Sequence, residues 1–199
     1  EIDWSVGQVL QTLRDNKLDQ KTIVWFTSDN GPWLTFKDHG GSAGLLKEGK
    51  GTTWDGGMRE PTIAWWPGSI PAGKVSAELG TTMDIYATSI AMAGGEVPQD
   101  RVVDGVDLSG MLTGKAKGKS PRDEVYYYRG TRLMAIRKGP WKAHFMTQES
   151  YTGNNKLNEH DPPILHNLEI DPGEKWNVAE QNPKVIEQLK KAAAVHKDT

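Results

Sequence analysis

Thr22-Ile23-Val24-Trp25-Phe26-Thr27-Ser28-Asp29-Asn30-Gly31 is the stretch from which the fold follows. Its first part is β-branched and aromatic with no charge to mark a solvent face, so it is predicted as a short strand buried on both sides. Upstream, Ile2, Val6, Val9, Leu10 and Leu13 recur at helical spacing, and 15–20 is a polar connector. A helix leading into a strand apolar on both faces predicts an α/β layer architecture, in which ligands gather beyond the carboxyl ends of strands. Ser28-Asp29-Asn30-Gly31 stands at such an end.

Working outward, 31–61 is glycine-rich and weakly periodic, and a loop of that length without structure is usually functional or disordered. Ile63-Ala64-Trp65-Trp66 predicts a second strand, closed by Pro67-Gly68. A helix is predicted from about Thr82, with Met83, Tyr86 and Ile90 on one face and Gly94-Gly95 as its stop. The pattern then changes. Val125–Tyr128, Met134–Arg137 and Trp141–Phe145 read as antiparallel strands, the last two joined at Lys138-Gly139-Pro140, with a further strand over Ile164–Leu168. Asp171-Pro172-Gly173 is a turn, and Pro183–Val195 a helix with Asn182 as cap and Val185, Ile186 and Leu189 inward. Two domains are therefore expected, 1–121 of α/β type and 122–199 a small antiparallel sheet covered by a terminal helix. Asp104 and Asp107 flank Gly105 in a further turn.

With 199 residues, 36% hydrophobic and 25% charged, the chain has the means to bury a core. A net charge of −2 gives no basic field for a polyanion, so nucleic acid is not an expected partner. The most apolar windows, 23–26 and 63–66, are far shorter than the roughly 20 residues that cross a bilayer, so no membrane partner is expected either. There are no cysteines, which removes disulfides, thiolate metal sites and any cysteine-derived nucleophile from these residues. The sequence opens on Glu1 at the edge of a helical pattern, and is expected to be part of a longer or processed chain.

Asp29 and Asn30 offer a carboxylate and an amide oxygen, donors that suit a hard cation such as Ca2+ or Mg2+ better than zinc. The same Asp-Asn-Gly is also a common turn, and two ligands do not fill a coordination shell. Gly49-Lys50-Gly51-Thr52-Thr53-Trp54-Asp55-Gly56-Gly57 crowds glycines around a lysine, an arrangement that lets amides and a localised positive charge meet sulfate or phosphate. Its spacing is not that of a Walker loop, and a surface turn with a solvated lysine has the same sequence. Of five histidines, His39 in the loop and His144 on the hairpin are candidates for binding substrate or protonating a leaving group.

Taken together, Ile23-Val24-Trp25-Phe26-Thr27-Ser28-Asp29-Asn30-Gly31-Pro32, His39-Gly40-Gly41-Ser42-Ala43-Gly44-Leu45-Leu46, Gly49–Gly57 and Arg59-Glu60-Pro61 closely resemble the type I sulfatases. Lys142–Gln148 and Pro162–Leu165 through Asp171-Pro172-Gly173-Glu174 resemble more particularly the arylsulfatase A and N-acetylgalactosamine-6-sulfatase branch. The resemblance implies the C-terminal part of a fold similar to alkaline phosphatase, a mixed sheet between helices, followed by a small antiparallel sheet with a C-terminal helix.

It also implies that Asp29 and Asn30 bind a divalent cation, usually calcium, and that Lys50 contacts the sulfate as a catalytic and substrate-binding residue. The family's nucleophile is a formylglycine made in a C/S-x-P-x-R motif, which these residues do not contain. The rest of the metal site and the nucleophile are therefore expected from an N-terminal half of the same protein, and this chain alone is expected to be inactive. The implied activity is hydrolysis of sulfate esters, aryl or sugar, in a periplasmic, extracellular or lysosomal setting. Two alternatives differ in kind. A phosphoester or phosphonate hydrolase of the same superfamily would ordinarily place histidine where Asn30 follows Asp29. A non-catalytic module would bind sulfated ligands or serve as a structural half. His166, where relatives often have tyrosine, is expected to affect packing. Strand 22–27, deprived of sheet neighbours, is expected to expose apolar surface and favour self-association.

Overall fold

The computed structural model describes residues 1–150 and 156–197. The chain forms two compact units, one from residues 1–27 with 62–122, the other from 28–61 with those from 123 on.

In the first unit, helix α1 (Ile2–Asp15) follows the apolar spacing of its sequence, and strand β1 (Val24–Thr27) pairs antiparallel with β2 (Thr62–Trp65) in the register Val24↔Trp65 to Thr27↔Thr62. The strand expected to be buried on both faces is not. Phe26 and Ile63 are exposed, α1 buries no residue, and α1 and β1 border an apolar cleft of about 260 Å³. The cause is the number of neighbours: β1 has one partner strand among the described residues, and a pair of strands cannot cover both of its own faces. Helix α3 (Asp84–Met92) ends at Gly94, whose φ of 79° is the left-handed conformation that stops a helix. Its buried residues are Asp84, Ala87 and Thr88, while Met83 and Tyr86 are exposed. Asp84 turns inward because Arg122 meets both its oxygens and the amides of Thr81 and Val106 donate to it. Short helix α4 (Ser109–Leu112) follows, and Asp107 accepts from the Ser109 amide and hydroxyl, the role of a turn.

The second unit is built on an antiparallel sheet in sequence order, β3 (Glu124–Arg129), β4 (Arg132–Lys138), β5 (Trp141–Gln148) and β6 (Leu157–Asn167). The hairpin turns at Gly139-Pro140, between the paired Lys138 and Trp141, with Gly139 at φ 54°. One face holds Ile136, Ala143 and Leu165, aligned across three strands, and packs against Ile186, Leu189 and Ala193 of helix α5 (Pro183–Lys197). The period-2 alternation of a strand places Lys142 and His144 on the opposite face. That face is buried as well, because residues 47–57, which run into short helix α2 (Asp55–Met58), and residues 171–174 pack on it. The architecture is thus α/β, with a small antiparallel sheet and a C-terminal helix.

Candidate metal and sulfate site

The segment 28–61 leaves β1 at Thr27 and re-enters β2 at Thr62. It folds back on itself so that an open cavity of about 390 Å³ is lined by Asp29, Asn30, Trp33, Ser42, Lys50 and Glu60, among others. Glycines make the folding possible. A Cβ on Gly31 would lie 1.8 Å from the Gly56 carbonyl oxygen, and the Gly31 amide donates to the Gly57 carbonyl at 3.2 Å. The Lys50 amide donates to the Pro32 carbonyl at 2.9 Å, which ties the lysine loop to the segment that follows Asn30. The Lys50 ammonium lies 5.0 Å from the centre of the Trp33 ring, within reach of a cation–π contact.

The cavity carries negative charge beside Lys50. Asp29 is exposed to it, and the buried Glu60 Oε1 atom has no hydrogen-bond partner among the described residues. Burial, and after it the charge of Asp29, push the Glu60 carboxyl above its ordinary range. Two carboxylates and an amide oxygen around one open space are hard donors, the set that fits calcium or magnesium. Among the described residues no group of three or more His, Cys, Asp or Glu side chains is placed to hold a metal ion.

The candidate histidines lie elsewhere. His39 is exposed at the end of a 3-10 segment (Leu34–His39) and does not line the cavity. His144 is fully buried, with its Nε2 donating to Glu174 Oε1 at 2.7 Å and its ring 4.1 Å from that of Trp54. Burial lowers its pKa to about 4 against the upward pull of Glu174, so the ring is neutral at pH 7. The structure therefore brings Asp29, Asn30 and Lys50 together and leaves both histidines outside the cavity. His166 is buried against Trp54 and His144, a packing position.

Beneath the cavity's loop lies a charged cluster to which the sequence alone gave no role. The Lys142 ammonium is 2.6 Å from Asp55 Oδ1 and 3.1 Å from Glu174 Oε1, with all three side chains at most 1% exposed. Burial works against the charge of Lys142, but Tyr127, Asp55 and Glu174 outweigh it and hold its pKa above the ordinary value. Glu174 Oε2 accepts the Asp55 amide at 2.6 Å. The sequence signal is slight: a lysine between Trp141 and Ala143 in a strand run, and a glutamate just past a turn.

Residues 1–95 match the family model described as Sulfatase, and residues 120–199 match that for the C-terminal region of aryl-sulfatase. The chain belongs to the sulfatase family. It is 41% identical to pig N-acetylgalactosamine-6-sulfatase over 98% of its own length and 41% of the relative's. It is likewise 41% identical to human arylsulfatase A over 96% of its length and 40% of the relative's. The chain thus spans about two fifths of the curated relatives it matches. Among solved structures it superposes on the PsFucS1 sulfatase of Pseudoalteromonas sp. with a TM-score of 0.87 and 33% identity, covering 96% of this chain and 40% of that one. The sulfatase fold is shared. Membership of this family implies, in general terms, a metal and a formylglycine.

Proposed function

We propose that this chain supplies one wall of the active site of a sulfuric ester hydrolase, with Asp29 and Asn30 as ligands of a calcium ion and Lys50 as the sulfate contact. The observation that carries the reading is the convergence of these residues on one open cavity from two separate stretches of the sequence. A divalent cation bound there supplies Lewis-acid stabilisation of negative charge on the sulfuryl oxygens. Lys50 adds a point charge to the same oxygens, and it counts most if it stabilises charge that grows during transfer. The Trp33 ring, 5.0 Å from the ammonium, limits the directions it can take. Asp29 and Asn30 hold their oxygens at the cavity through the clamp of Gly31 on Gly56 and Gly57.

The nucleophile and the remaining ligands come from a part of the protein outside these residues. Sulfated sugars and aryl sulfates are both compatible substrates. N-acetylgalactosamine-6-sulfatase is named for a sulfated sugar, and a related structure, Ps i-CgsB at 28% identity, holds k-i-k-neocarrahexaose. A periplasmic, extracellular or lysosomal setting suits such esters.

The test is sulfate release from p-nitrophenyl sulfate by the whole formylglycine-matured protein, with and without calcium, beside its Lys50→Ala variant. Calcium-dependent turnover that collapses in the variant supports the reading. An inactive whole protein that still binds sulfated sugars contradicts it in favour of a binding module.

A further inference from the structure

The cavity residues are not held by the cavity alone. Lys142 on β5 and Glu174 after the 171–173 turn grip Asp55 from two sides, one through its carboxylate and one through its amide. Lys47 reaches the Glu174 carbonyl at 3.3 Å and lies 3.6 Å over the Trp54 ring. From Asp55 the path continues through α2. The Gly56 amide donates to the Lys47 carbonyl, a Cβ on Gly57 would sit 2.4 Å from the Gly49 carbonyl oxygen, and Gly31 is pressed on the Gly56 carbonyl. Gly49 immediately precedes Lys50, and Gly31 immediately follows Asn30. Close backbone packing of this kind transmits position, because no side chain intervenes to adjust.

We propose that Asp55, Lys142 and Glu174 are positioning residues that set Lys50 and the Asp29–Asn30 pair relative to each other, acting through α2. The proposal rests on the reading of Lys50 as the sulfate contact. A charged cluster suits the task because its hydrogen bonds have fixed directions, whereas an apolar contact of the same volume tolerates sliding.

The experiment is a double-mutant cycle in the whole calcium-loaded protein, with inorganic sulfate as the probe and its affinity read by calorimetry. Glu174→Gln keeps the side-chain shape and an acceptor for the Asp55 amide but removes the charge facing Lys142. It is expected to weaken sulfate binding about tenfold while the protein still unfolds cooperatively, since small misplacements of binding groups have large effects. In the Lys50→Ala background the same change is expected to cost less than about twofold, because the group it positions is gone. Equal loss in both backgrounds, or no loss in a folded Glu174→Gln protein, overturns the proposal. If Lys50→Ala alone leaves sulfate affinity unchanged, it is the assignment of Lys50 that fails, and the positioning role falls with it. Asp55→Asn, taken through the same cycle, gives a second test should Glu174→Gln not fold, with the same outcomes supporting or overturning the idea.

Discussion

Around Lys142 opposite charges are paired and shut away from water, whereas around Lys50 charges line an open space. The first arrangement has Asp55 and Glu174 within 3.1 Å of the ammonium, with His144 and a backbone amide also donating to Glu174, while Asp55 Oδ2 is buried without a hydrogen-bond partner among the described residues. In the second, Asp29 and Glu60 line the same cavity as the lysine. A cluster whose charges are paired and buried has little to gain from a ligand and much to lose from mutation. One whose charges face an open space has the reverse balance. The difference separates residues that hold the fold from residues offered to a ligand, although both sets are lysines and carboxylates.

The sharpest break of that contrast is Lys142→Met. It leaves two carboxylates buried without their cation, and the loss of stability in urea unfolding is expected to be about 3–5 kcal/mol. Lys50→Ala is the converse, with stability within about 0.5 kcal/mol of the parent but sulfate-ester turnover down at least about a hundredfold. If both lysines behaved alike in unfolding, the distinction would collapse.

The sequence reading sees only part of this contrast. Asp29, Asn30 and Lys50 sit in short, distinctive runs, so their chemistry is legible before any coordinates. The hairpin is legible too, because Gly139-Pro140 interrupts two runs of strand-like residues. The partnership of Asp55, Lys142 and Glu174 is not, since the three are scattered along the chain and each in isolation looks like surface. His144 shows the same blind spot from the other side. A histidine on a strand suggests reach into a cleft, but only the packing of residues 47–57 and 171–174 reveals which face of the sheet it occupies and that this face is closed. The residues of strand β1 are apolar on both faces and so predict burial; what covers a strand is decided by its neighbours, which its own sequence does not contain.

Acid should expose the buried cluster next. Burial pushes the Glu174 carboxyl up, but the hydrogen bond from His144 and the charge of Lys142 prevail and hold it at about 2, while His144 sits at about 4. Both folded values lie below the ordinary ones, so the unfolded chain binds more protons at acid pH. Stability from His144 is then lost as pH falls from about 6.5 to 4, and that from Glu174 as pH falls from about 4.5 to 2. Thermal midpoints measured from pH 7 to pH 3 should fall steadily, and Glu174→Gln should flatten the lower part of the curve. A curve of unchanged slope in that variant would place the acid sensitivity elsewhere.

The open cavity should respond to calcium instead. Saturating the whole protein to a hundred times its dissociation constant is expected to raise stability by about 2.7 kcal/mol. In Asp29→Asn the gain should shrink, while the buried cluster and the midpoint without calcium stay near the parent's. A full calcium response in the variant would remove Asp29 from the metal site.

The most direct measurement is a crystal structure of the whole protein grown with calcium and soaked with sulfate. The account predicts a calcium peak bound by Asp29 and Asn30 and a sulfate within hydrogen-bond distance of the Lys50 ammonium. Calcium and sulfate bound elsewhere, with Asp29, Asn30 and Lys50 facing only solvent, would contradict it.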